Sequence, residues 1–95
     1  MSGDLLNEEA LLTLQDLCEN CGLTSVQITA YVEEGIVEVQ GNDVTRWRFS
    51  EVSMVKLQKA HRLNQDLGLN PAGAALAMEL LEKIDDLKNQ LKRYE

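Results

Sequence analysis

No lysine or arginine occurs anywhere before Arg46 in this 95-residue chain. A stretch that long without a cation excludes the usual phosphate-gripping surface from the first half of the molecule, since binding to nucleic acid rests on Lys and Arg. Long apolar runs are missing too. The run Ala74 to Met78 falls far short of the roughly 20 residues that cross a bilayer. Two cysteines, Cys18 and Cys21, are too few to staple a secreted scaffold and suit a reduced compartment. Met1 to Glu9 holds acids and no basic residue, so it has neither the charged head of a secretory signal nor the Arg-rich face of a transit peptide. A cytoplasmic setting with no membrane partner is the expectation. The net charge of −7 favours a basic or neutral partner over nucleic acid or anionic lipid.

What remains is an ordinary globular composition, 44% apolar and 26% charged, and the pattern is mainly helical. Leu14, Leu17, Cys18 and Cys21 repeat at helical spacing behind Thr13, whose hydroxyl can cap the first turn with Asp16 three residues on. Gly22 ends that helix. Thr24 and Gln27 repeat the capping pattern ahead of Val26, Ile28, Tyr31 and Val32, and Gly35 closes the second helix. Val37 to Gln40 alternates apolar and polar, Gly41-Asn42-Asp43 supplies turn chemistry, and Trp47-Arg48-Phe49 alternates again, which predicts a two-stranded wing. Ser50 can cap a third helix carrying Val52, Val55, Leu57, Ala60, Leu63 and Leu67, ended by Gly68. Asn70-Pro71 then starts the last helix, with proline where its missing N–H costs nothing. The chain therefore reads as one domain, residues 1–95, with a winged helix-turn-helix over about 12–69 and a C-terminal helix over 70–95.

On that last helix Ala77, Leu80, Ile84, Leu87, Leu91 and Tyr94 advance by steps of three and four, the spacing of a coiled-coil seam. A seam this long on so small a chain predicts a homodimer through this helix. Glu79 with Lys83 and Asp85 with Lys88 are read as solvated helix pairs.

Charge is divided unevenly. Residues 1–45 hold nine acids (Asp4, Glu8, Glu9, Asp16, Glu19, Glu33, Glu34, Glu38 and Asp43), while all nine bases fall in residues 46–95 among seven acids. A helix-turn-helix that reads DNA places its second helix in the major groove and neutralises phosphates around it. Here Gln27, Thr29 and Tyr31 are the polar groups of that helix, and Glu33, Glu34 and Glu38 would repel the backbone. Arg46, Arg48, Lys56, Lys59 and Arg62 keep a DNA-binding regulator as the alternative. Glu33, Glu34, Glu38 and Asp43 are the candidate partner-binding residues; the bland reading is a solvated acidic face.

Cys18-Glu19-Asn20-Cys21 has the spacing of redox and zinc pairs, but only His61 could join as a third ligand. The pair reads instead as helix packing, Cys18 buried and Cys21 partly exposed. His61 reads as an exposed or hydrogen-bonded structural imidazole, since no nucleophile or paired base stands at a motif spacing. Trp47 and Phe49 read as rings that plug the wing onto the helices. Neither an enzyme nor a cofactor is called for.

The order of elements is informative. Leu12 to Leu17, the turn Gly22-Leu23-Thr24, Tyr31 ahead of Gly35-Ile36-Val37, the wing ending in Trp47-Arg48-Phe49 and the terminal coiled-coil helix together resemble the MerR-like winged helix. Val26 and Thr29 stand where DNA-binding members carry arginines. His61-Arg62-Leu63, Asp66 to Asn70 and Gly73 to Leu81 are similar to the chaperone-modulator family CbpM, over nearly the whole chain from about Leu5 to Tyr94. That resemblance implies a cytoplasmic protein that binds the J-domain of a CbpA-type co-chaperone and inhibits it. J-domains stimulate their chaperone through a helix rich in Lys and Arg, which an acidic winged helix complements.

Overall fold

The computed structural model describes residues 11–94. Asp4, Glu8 and Glu9 of the acidic half, and the first residues of the family resemblance, lie outside that range. The elements are β1 (Leu12–Thr13), α1 (Leu14–Cys21), α2 (Ser25–Glu33), a 3-10 turn (Val44–Arg46), β2 (Arg48–Phe49), α3 (Glu51–Leu67) and α4 (Pro71–Lys92). This is the mainly α winged helix-turn-helix that the sequence predicts.

Each helix starts where a side chain can satisfy a free backbone N–H. The Thr13 hydroxyl accepts from the Asp16 amide at 3.1 Å while the Asp16 carboxylate accepts from the Thr13 amide at 2.9 Å. Thr24 and Gln27 form the same reciprocal pair ahead of α2. Ser50 and Asn70 accept from the amides of Ser53 and Gly73 to start α3 and α4. Such caps each stabilise a helix by about 1 kcal/mol. Gly35 ends α2 with a left-handed φ of 78°. Its amide donates to the Val32 carbonyl and the Ile36 amide to the Tyr31 carbonyl, the paired closure that needs such a residue.

The wing differs from expectation in its pairing. The regular antiparallel sheet joins β1 to β2, Leu12 opposite Phe49 and Thr13 opposite Arg48. Val37 to Gln40 is not a regular strand; it reaches β2 through one bridge, Gln40 with Arg48, whose amides and carbonyls exchange bonds of 3.0 and 2.9 Å. Two local preferences limit it. Ile36 and Val37 are both buried and tie the start of the segment to the core. Asp43 caps the turn Val44–Arg46, which occupies residues that would otherwise extend the ladder. At Gly41 a Cβ would run into the Arg46 carbonyl, so the wing tip demands glycine there.

The core gathers Leu17, Ile28, Phe49 and Leu57 from α1, α2, β2 and α3, all fully buried, with Leu23, Tyr31, Ile36, Val37, Ala60 and Ala74 around them. Phe49 meets Trp47 edge-on, the ring centroids 6.1 Å apart and the planes at 89°. The wing is thereby plugged onto the helices, as expected. Several of the periodic apolar positions are exposed: Val26, Val52, Val55 and Leu67. A single layer of neighbours covers only one side of each helix, so the flanking members of each apolar stripe face outward.

Ala74 is the only fully buried residue of α4, and every residue from Glu79 to Tyr94 is exposed. With 22 residues the helix is about 33 Å long. It projects from the body, giving a radius of gyration of 15.2 Å against about 12 Å for a compact chain of this length.

Candidate functional site

The candidate acidic surface is built around α2, the segment after it and α4. Glu33 is the last residue of α2 and Glu34 its C-terminal cap, and both are exposed. The turn at Gly35 sends the chain down into the core at Ile36 and brings Glu34 to the packed junction of α3 and α4. There Glu34 lines a cleft of about 220 Å³ with Glu79 and Glu82 of α4. Ile36, Ala75 and Met78 provide apolar lining, and Lys56 of α3 is its one cation. Three carboxylates and one ammonium leave the cleft negative, with apolar surface beneath it for the stem of a long basic side chain.

The four predicted acids do not form one patch. Glu34 belongs with α4. Glu38 lines a separate cavity of about 330 Å³ shared with Arg48 and Lys56, and its backbone carbonyl accepts from the Ser53 hydroxyl at 3.4 Å. Asp43 is occupied with the wing turn: it accepts from the Arg46 amide at 3.2 Å and from the Thr45 hydroxyl, and its carboxylate stands 3.9 Å from Arg46 Nε. That contact is the only ion pair within 4.0 Å among the described residues. Glu33, Glu34, Glu79 and Glu82 thus have no cation in direct contact there.

Glu79 and Glu82 are the acids that sequence reasoning missed. The helix pairs expected of Glu79 with Lys83 and Asp85 with Lys88 do not close to 4.0 Å. The signal was present in the spacing of Ala75, Met78, Glu79 and Glu82, which places all four on one face of α4.

Neither arginine position of the DNA-binding pattern on α2 holds a cation. Val26 is 76% exposed at one arginine position of the DNA-binding pattern. Thr29 at the other turns its hydroxyl back onto the Ser25 carbonyl at 2.8 Å. An apolar and a neutral side chain therefore stand at these two positions.

Cys18 and Cys21 are free thiols, both half-buried; Cys21 is partly exposed as expected, whereas Cys18 is less buried than expected. Burial pushes the Cys21 thiol above its ordinary value, with Cys18 beside it acting in the same direction. His61 does not join them: no group of three or more His, Cys, Asp or Glu side chains among the described residues is placed to hold a metal ion. His61 is half-buried on α3, and its Nδ1 is shielded without a hydrogen-bond partner among the described residues, contrary to the expected exposed or satisfied imidazole. No helix of the described residues is long and apolar enough to cross a membrane.

The coiled-coil seam is exposed along its length. Leu80, Ile84, Leu87 and Leu91 lie open on α4 and Tyr94 lies open just beyond its end at Lys92, with Ala77 half-buried at the start of the seam. The described structure therefore leaves a continuous apolar stripe open on this helix.

Comparison with known proteins agrees with this architecture. The family profile described as "MerR HTH family regulatory protein" matches residues 12–95. The chain is 35% identical over 79 residues to the chaperone modulatory protein CbpM of Pseudomonas entomophila strain L48, covering 83% of this chain and 78% of that one. The CbpM of Pseudomonas putida strain W619 is 33% identical over the same shares. That of Coxiella burnetii strain Dugway 5J108-111 is 28% identical over 95 residues, 100% of this chain and 90% of its own.

Proposed function

Because the chain belongs to the CbpM chaperone-modulator family of MerR-type helix-turn-helix proteins, we propose that it modulates a chaperone system by binding the J-domain of a CbpA-type co-chaperone in the cytoplasm. The protein acts by masking. A J-domain presents a basic helix to its chaperone, and the same helix fits the negative cleft between Glu34, Glu79 and Glu82, with Glu33 beside it. Occupation of that helix excludes the chaperone without chemistry or cofactor. The observation that carries this reading is the cleft itself: three carboxylates over apolar lining against one cation, Lys56, with none of the three in an ion pair within 4.0 Å among the described residues, in a chain without a base before Arg46.

Complementary charge speeds encounter more than it tightens a complex, so the association rate should fall with salt. Glu38 and Asp43 contribute to the long-range field, although each has a local neighbour of opposite sign. The exposed seam Ala77, Leu80, Ile84, Leu87, Leu91 and Tyr94 pairs two copies, so that each dimer offers two clefts.

The test is stimulation of a DnaK-type ATPase by the isolated J-domain. The protein should suppress stimulation in proportion to its concentration, and E33K together with E34K should abolish suppression while leaving the fold intact by circular dichroism. Undiminished suppression by that variant rejects the cleft as the binding surface.

A further inference from the structure

The cleft does not account for the other flank of the α3–α4 junction. There Leu63 and Leu67 of α3 meet Met78 and Leu81 of α4 in a groove of about 320 Å³, at the low end of the range for ligand pockets. Its lining is almost wholly apolar, and Leu67 and Leu81 are 68% and 52% exposed. Lys59 and Arg62 border it, with Asp66 as its single carboxylate among the described residues. None of these three charges is in an ion pair within 4.0 Å among the described residues. In a chain of net charge −7, this is an apolar groove whose border is positive.

We propose that this groove is a second docking surface, taking an amphipathic polypeptide helix that carries leucine-type side chains flanked by carboxylates. An apolar groove between packed helices is the usual seat of such a helix. The sign of the border then selects among amphipathic helices: carboxylates on the incoming segment meet Lys59 and Arg62, whereas a basic segment places cation against cation. The basic C-terminal end of α4, where Leu87 and Leu91 are accompanied by Lys88, Lys92 and Arg93, would juxtapose like charges here; the middle of α4 carries Leu80, Leu81 and Ile84 among Glu79, Glu82, Asp85 and Asp86, so a second copy is the competing occupant that sedimentation separates. The groove also lies beside the coiled-coil seam, because Met78 and Leu81 follow Ala77 and Leu80 around the helix and are not themselves seam positions. Self-association through the seam and occupation of the groove are therefore compatible. The two flanks differ in sign, so the molecule can hold a basic partner on one side and an acidic one on the other.

The probe is a fluorescein-labelled synthetic helix of leucine and glutamate, titrated with the full chain at low salt and followed by anisotropy. Saturable binding is expected, weakened about tenfold or more by K59E combined with R62E and by L67S, and accompanied by shifts of the Leu63, Leu67 and Leu81 methyl resonances. E34K should leave this binding no weaker, which separates the groove from the cleft. Absence of saturation, or binding indifferent to the groove variants, overturns the proposal. So does a change of sedimentation mass on L67S, which would show that a second copy covers the groove.

Discussion

Glu34 at the end of α2 and Glu79 on α4 line the same cleft, although one closes the helix-turn-helix and the other belongs to the terminal helix. The acidic surface is therefore assembled by the tertiary fold and spans both parts of the chain.

A charge reversal on α4 should then matter as much as one on α2. E79K combined with E82K is expected to weaken J-domain binding by about tenfold or more, since a cation placed against a basic helix adds repulsion to the lost attraction. D43K should have a smaller effect, because Asp43 already faces Arg46 and holds the wing turn. Surface plasmon resonance on immobilised J-domain measures both, with the larger part of the D43K effect in the association rate.

Self-association depends on the exposed seam. Wild-type protein should sediment as a dimer, and I84D together with L87D should sediment as a monomer with unchanged helical content in the winged domain. A wild-type chain that sediments as a monomer across a wide concentration range contradicts the seam.

Wing and helices should unfold together through Phe49. Phe49 is fully buried and stacked edge-on against Trp47, the sole tryptophan. F49A should destabilise the protein by about 3–5 kcal/mol. In urea unfolding its midpoint should fall, and the native Trp47 emission should move toward that of exposed indole before any denaturant is added.

Acid should loosen the start of α1. The Thr13 amide, and then the Thr13 side chain, hold the Asp16 carboxyl below its ordinary value, helped by Arg48. A carboxyl lowered in the folded state contributes stability above its unfolded value near 3.8, and that contribution is lost as pH falls through the folded value. Melting temperature should decline below about pH 4, and D16N should have a shallower decline over that range. Identical acid profiles for the two proteins would show that the capping carboxylate does not couple to folding.

Helix starts and stops were legible in the sequence because they are local. Thr13, Thr24, Ser50 and Asn70 each cap the helix expected of them, and Gly22, Gly35 and Gly68 each take the left-handed conformation that stops one. Pairing across the wing was less legible. Leu12–Thr13, a two-residue strand, carries no periodic signal, yet it takes the regular partnership with Arg48–Phe49 that Val37 to Gln40 was expected to hold. The exposure of Val26, Val52, Val55 and Leu67 was not legible for a related reason: periodicity gives the apolar side of a helix, while the number of neighbours available to cover it is set by the whole fold. The candidate site was half legible. The acids of the first 45 residues stood out by the absence of bases, but Glu79 and Glu82 join Glu34 only through the packing of α4 against α3 and α2.

The most direct test is a pair of titrations under identical conditions at low salt, one of fluorescently labelled J-domain and one of labelled duplex DNA, each with the full chain. The account predicts saturable binding of the J-domain that weakens as salt is raised, and no retention of duplex. Tight binding of duplex with no binding of the J-domain would contradict it.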